Sequence, residues 1–292
     1  MFIADLPYAK TLRDHLVRSV RFALEEDLGS GDITAQLIPA EQTSIAQVIT
    51  REPGILCGRE WFEEVFRQID PAISLNWLKQ DGDALLANDR LVEITGNTRS
   101  ILTAERTALN FLQTLSGTAT LANRYALAVA GTDIVILDTR KTLPGLRLAQ
   151  KYATVVGGCQ NHRLGLYDMF LIKENHIAGC GGIANAVKRA QEIAPDKQIE
   201  VEVESIEQLL EALTLPVQVI MLDNFDVQQT AEAVNLNNHR VKLEASGNMD
   251  LDRIAEVVGV LPDYVSVGKL TKDVTALDLS LRLVGQEQPD GI

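Results

Sequence analysis

From residue 134 onward the chain repeats one unit: a short apolar, β-branched run with, in most cases, a polar side chain at or beside its end, followed for the most part by an amphipathic stretch. The runs are IVILD (134–138), MFLIK (169–173), IEVEV (199–203), VIMLD ending on Asp223, VKLEA (241–245) and YVSVG (264–268). Most are separated by stretches with helical spacing: IANAVKRAQEIA, SIEQLLEAL, VQQTAEAVN and LDRIAEVVG. Strand-length runs alternating with amphipathic helices are parallel β/α units. Six of them build either a barrel or an open doubly wound sheet. No G-x-G-x-x-G follows the first run, which weakens the dinucleotide-binding version of the open sheet. The polar ends favour the barrel. Asp138, Lys173, Glu202, Asp223, Glu244 with Ser246, and Ser266 all fall where strands finish, and a β/α barrel collects its active site there.

The first part has another rhythm. Leu12, Leu16, Val20, Ala23 and Leu24 recur at helical spacing over 11–28, and EEDLGSGDIT breaks that helix. SIAQVIT, ISLNWL and RLVEITG read as strands, with EPG and QDGD as turns. Thr103 to Ala130 is helical again, with an interruption expected near Gly117. The expected division is an α+β domain over 1–115 and a barrel over 116–271, and 292 residues suit two modest domains.

A net charge of −13 argues against nucleic acid or an anionic membrane surface as a general partner. No run suits a signal peptide, and none approaches the roughly 20 apolar residues that cross a bilayer. Cys57, Cys159 and Cys180 form no C-x-x-C pair, so reduced thiols in a cytoplasmic protein are expected.

Against that acidity one window stands out. Between Thr139 and Tyr167 lie Arg140, Lys141, Arg147, Lys151 and Arg163 and no acid, where the chain-wide frequency predicts about four. Arg147 and Lys151 sit one helical turn apart and are expected on a solvated face. Arg140, Lys141, His162, Arg163 and Lys173 sit in loops or at strand ends. Guanidinium groups bind carboxylates or phosphates through paired hydrogen bonds, and lysines add point charges. Gathered at one mouth, they imply a substrate with several negative charges. In IEVEVES, Glu200, Glu202 and Glu204 share one face and Val201 and Val203 the other. Glu202 and Asp223 are candidates to hold Mg²⁺, directly or through water; the alternative is a salt bridge to Lys173 or Lys141.

The stretches EEDLGSGDIT, REPGILCG, TAERTALNFLQTLSG, LDTRKTLPGLR, GGCQNHRLGLYDMFLIKENHI, IEVEVES, IMLDNF, LEASGN and VSVGKLT, in this order from residue 25 to 271, resemble the quinolinate phosphoribosyltransferase family, the carboxylating nicotinate-nucleotide pyrophosphorylases. The resemblance implies an α/β fold made of an N-terminal α/β sandwich and a C-terminal open β/α barrel (TIM-like), with 272–292 packing back on the first domain. It implies that quinolinate and phosphoribosyl pyrophosphate (PRPP) give nicotinate mononucleotide, diphosphate and CO₂ with Mg²⁺, a step of NAD biosynthesis. Thr139, Arg140, His162, Arg163 and Lys173 match quinolinate ligands. Arg106 matches an arginine that reaches into a neighbouring subunit's site, which implies a homodimer with shared sites, or a hexamer. Lys141, Glu202 and Asp223 match the catalytic groups around PRPP and its metal. Ser246, Gly247, Asn248, Ser266, Val267 and Gly268 match loops that hold the ribose 5′-phosphate. Two positions depart from the family pattern: Cys159, where a glycine is expected, and Lys269, where a small residue is. Three rival readings are a molybdenum-transport-associated paralogue of the same fold, a non-catalytic pyridine-carboxylate binding protein, and an aldolase-type barrel with Lys173 as Schiff-base lysine. The full cation set argues against the first.

Overall fold

The computed structural model describes residues 3–285, which form two compact units. One comprises the chain up to Asn123, Leu143–Gly157 and the residues from Val274 on; the other comprises Arg124–Thr142 and Gly158–Asp273.

In the first unit, α1 (Ala9–Leu28) buries Leu12, Leu16, Val20 and Leu24, one residue per turn. It is followed by β1 (Thr43–Thr50), β2 (Gly54–Ile55), α2 (Arg59–Ile69), β3 (Ser74–Trp77), β4 (Ala84–Leu85), β5 (Arg90–Asn97) and α3 (Thr98–Ala128). Burial alternates strictly along β1, as a sheet with one covered face requires. β1 pairs antiparallel with β5, and β5 with β3. The last described strand, Leu279–Gly285, pairs antiparallel with the free edge of β1. Trp61, Phe62, Phe66, Ile94 and Leu112 lie at the centre of this core.

Three expectations are corrected here. The helix expected to break near Gly117 is continuous. Gly117 marks a close approach: a Cβ there would overlap the Thr275 carbonyl of the returning C-terminal segment. The helix α4 (Arg147–Val156), which follows the first barrel strand, belongs to the first unit. Its Tyr152 stacks on Trp61 with ring centroids 5.6 Å apart and donates to Asp81 Oδ2 at 2.6 Å. Because α4 is covered on every side, Lys151 is wholly buried and partnered rather than solvated.

The second unit contains β6 (Val135–Leu137), β7 (Phe170–Ile172), α5 (Glu174–Cys180), α6 (Ile183–Ile193), β8 (Ile199–Val203), α7 (Ile206–Ala212), β9 (Val219–Asp223), α8 (Val227–Asn237), β10 (Lys242–Ser246), α9 (Leu251–Val257), β11 (Tyr264–Ser266) and α10 (Lys269–Lys272). The strands form one parallel sheet in the order β6-β11-β10-β9-β8-β7. From β7 to β11 sequential strands are neighbours, and β6 pairs with β11 but not with β7; that is the order of a barrel left open between its first two strands. The remaining flank of β6 carries a single parallel bridge, Leu137 to Gln160. Val201 and Val203 point outward into the core shared with the surrounding helices. Helices start sharply after the strands because Ser205, Asp226 and Asp250 cap α7, α8 and α9. No described helix is long and apolar enough to cross a membrane. All three cysteines are free.

Candidate active site

The two-residue period of a strand puts alternate side chains on the inner face. Leu171 and Lys173, Met221 and Asp223, Glu244 and Ser246, and Ser266 and Gly268 are such pairs. With Glu202, Thr139, Arg140, Lys141, His162, Arg163, Asn224, Gly247, Asn248, Met249, Lys269 and Lys272 they line one cavity of about 660 Å³. That volume lies within the usual range for a small-molecule site.

Asp138 organises the cationic side. It is fully buried at the end of β6. Its carboxylate accepts from Asn161 Nδ2 at 2.6 Å and from the His162 backbone N–H at 3.0 Å, which fastens the 160–163 loop to the strand. Arg163 is thereby brought close to Arg140. Burial, and next the repulsion from Arg140, lower the pKa of the Arg163 guanidinium. Arg140 Nε is buried without a hydrogen-bond partner. Two repelling guanidinium groups, one with an orphaned donor, make an anion site.

His162 plays a different part from the one its residue type suggested. Its Nδ1 accepts from the Arg163 N–H at 2.7 Å, so Nε2 carries the ring proton. Nε2 lies 2.9 Å from Glu200 Oε2 and 3.5 Å from Glu244 Oε2. Nδ1 is thus held by the backbone and Nε2 is turned toward two buried acids, of which Glu244 also lines the cavity, so the ring is oriented by the protein around it. Glu244 is driven up to about 8 by burial and by the neighbouring Glu200, against the pull of His162 and Ser266. Among the described residues, His162, Glu200 and Glu244 form the one group with metal-like spacing, their donor atoms within 4.8 Å of one another. Ligation through Nε2 while Nδ1 keeps its bond would require an imidazolate, so this group suits a metal poorly.

The acidic side answers the alternatives left open for Glu202. Lys173 Nζ forms a short ion pair with Glu202 Oε2. Burial raises the pKa of Glu202, Lys173 opposes this, and the charges of Asp223 and Glu174 add to the rise. Asp223 Oδ2 accepts from Asn224 Nδ2 at 2.9 Å. Two carboxylates in one cavity, with Asp223 adding to the rise in Glu202, are hard oxygen donors suited to Mg²⁺. Asp223 is the better placed of the two, since Glu202 already faces a cation.

Two loops close the far side. Gly247, at φ +97°, packs so tightly against the Asn224 side chain that no Cβ would fit. Asn248 follows in the left-handed region at φ +45°. A Cβ on Gly268 would lie 3.0 Å from Lys141 Cδ, so the lysine stem lies across that glycine. Thr271 Oγ1 donates to the Lys141 carbonyl at 2.7 Å and fixes its backbone.

Of the residues matched to substrate, phosphate or metal roles in the sequence, two do not line this cavity. Val267 is buried, and its N–H continues the ladder to the Leu137 carbonyl at 2.9 Å. Arg106 is exposed on α3 in the first unit. Cys159 is buried, its thiol pushed up to about 12 by burial and by Asp138, which makes it unreactive. The sequence reading placed Glu244 at a strand end and Glu200 on the face of Glu202 but gave neither a role, and it missed Asn224 and Lys272 as site residues. Glu200 and Glu244 carried a signal, being acids at inward positions of alternating strands; Lys272 carried only its spacing from Lys269.

Residues 32–116 match the family model for the N-terminal domain of quinolinate phosphoribosyl transferase, and residues 118–282 match that for its C-terminal domain. The chain is 43% identical over 274 residues to the nicotinate-nucleotide pyrophosphorylase [carboxylating] of Mycobacterium leprae, covering 91% of this chain and 96% of that protein. It is 40% identical over 257 residues to a probable enzyme of the same name from Bacillus subtilis, covering 88% and 89%. The solved nicotinate-nucleotide pyrophosphorylase of Francisella tularensis superposes with a TM-score of 0.92 at 45% identity, over 97% of this chain and 99% of that one.

Proposed function

The chain belongs to the quinolinate phosphoribosyltransferase family, and we propose that the cationic barrel mouth is where it carries out that family's reaction. The enzyme is a decarboxylating pentosyltransferase of NAD biosynthesis: quinolinate and PRPP give nicotinate mononucleotide, diphosphate and CO₂. The observation that supports this assignment of the site is the Arg140–Arg163 pair, two close guanidinium groups lining the cavity, with the Arg140 Nε buried and without a hydrogen-bond partner.

Quinolinate's carboxylates seat on Arg140 and Arg163, with Thr139 beside them and the His162 ring setting the orientation. Lys173 bridges this end and the acidic end through Glu202. Displacing diphosphate builds positive charge on the ribose carbon and negative charge on the departing oxygens. Lys141 stabilises the latter, and Glu202 and Asp223 the former. Mg²⁺, when bound, neutralises charge on the diphosphate; Asp223, and Glu202 once released from Lys173, are the residues that would hold it. Ser246, Gly247, Asn248, Ser266 and Gly268 receive the ribose 5′-phosphate, in keeping with phosphate sites after late barrel strands. Once the ring nitrogen is ribosylated, the cationic ring stabilises the carbanion left by CO₂, which takes up a proton from water to give nicotinate mononucleotide. Decarboxylation then needs orientation and a dry site rather than a nucleophilic side chain.

The proposal includes a homodimer, or a hexamer, in which the neighbouring subunit supplies Arg106; its exposure on α3 outside its own chain's cavity supports this. Free cysteines support a cytoplasmic location. Purified protein with quinolinate, PRPP and Mg²⁺ is expected to form nicotinate mononucleotide and diphosphate in equal amounts. Binding of quinolinate with no diphosphate released would favour a non-catalytic binding protein instead.

A further inference from the structure

We infer that Lys269 is a ribose 5′-phosphate ligand that Asp250 holds while the site is empty of anion. The inference rests on the reading that the phosphoribosyl donor occupies this mouth. Lys269 directly follows the Ser266–Gly268 loop and lines the same cavity as Ser246, Gly247 and Asn248. Its Nζ donates to Asp250 Oδ2 at 3.3 Å, and the two side chains are 40% and 44% exposed. A long, solvated ion pair of this kind holds weakly.

Asp250 is anchored independently of the lysine. Its carboxylate caps α9 by accepting from the Arg253 N–H at 3.0 Å. That bond, ahead of Lys269, keeps its carboxyl below the usual carboxylate range. The carboxylate thus stays fixed and ionised, and the lysine is the movable partner. Lys141 contrasts with it, because its stem lies across Gly268 and Thr271 holds its carbonyl. The side chains of the two loops, Ser246, Asn248 and Ser266, are neutral. The nearby Lys272 is paired with Asp273 at 2.8 Å. A phosphate monoester, with a higher charge than a carboxylate and three acceptor oxygens, draws Lys269 from Asp250.

The test measures ribose 5-phosphate binding by calorimetry, together with KM for PRPP and for quinolinate, in three variants of the full-length enzyme. Lys269→Met should weaken ribose 5-phosphate and raise the PRPP KM by about 5- to 20-fold, with the quinolinate KM within about 2-fold. Asp250→Asn keeps a competent cap and should tighten ribose 5-phosphate by about 2- to 4-fold. That gain should be absent in the double variant. A merely structural pair would give the opposite sign for Asp250→Asn. The inference fails if Lys269→Met binds like the parent, if Asp250→Asn weakens binding, or if it tightens binding equally without Lys269. A parent enzyme that neither binds ribose 5-phosphate nor forms product would instead overturn the phosphoribosyl reading beneath it.

Discussion

Glu244 lines the cavity from a position that is itself almost closed to solvent. It is almost wholly buried beside Glu200, and its carboxyl is driven up to about 8. Below about pH 4.5 the group is protonated in both folded and unfolded chains and costs nothing. Above that value the unfolded chain releases the proton while the folded one retains it, so this group draws stability down as pH rises toward 8. Glu244→Gln removes the titration and keeps the shape. The variant should gain about 1–3 kcal/mol over the parent at pH 8, and the gain should vanish by pH 5, in denaturant melts at the two pH values. A gain equal at both would show that Glu244 is ionised in the fold. The same scale shows where residue type misleads. His162 was legible as a functional position but not as a ring whose two nitrogens face protein, because only the fold places Glu200 and Glu244 against it. Lys151 was read as solvated from its spacing to Arg147, a pattern that does not say whether a helix is covered on its outer side.

At the scale of elements, the barrel strands were readable because they are short apolar runs, most with a polar side chain at or beside the end, and all six lie within two residues of their expected bounds. Their period of two also placed Glu202 inward and Val201 and Val203 outward. What the pattern lacked was contact information across long separations. Gly117 looked like a break in a helix, yet α3 runs through it from Thr98 to Ala128. The glycine is there because the segment at Thr275 returns, more than a hundred residues later, and presses its carbonyl on the helix. Gly117→Ala should therefore destabilise the protein by about 2–4 kcal/mol, although alanine is the better helix former. Denaturant unfolding checks this; a stabilised variant would mean that the segment yields without cost.

On the scale of the whole molecule, function depends on which residues the ring of strands gathers. Loops separated by up to about 130 residues meet at one mouth, which holds the two arginines together with Glu202, Asp223 and Glu244. Arg106 lies outside that set, and the proposed shared site gives it a role in a neighbouring subunit. Mixing inactive Arg106→Ala and Arg140→Ala proteins, with subunit exchange verified, should restore up to about a quarter of the parent activity, the share of intact sites in randomly mixed dimers. No recovery would make each site self-contained. The gathering itself is tested most directly by a crystal structure of the enzyme with quinolinate. The expected density has both carboxylates within hydrogen-bonding distance of Arg140 and Arg163, with the ring nitrogen turned toward Lys141 and the phosphate loops. Quinolinate bound elsewhere, with the two arginines still facing solvent, would contradict the account.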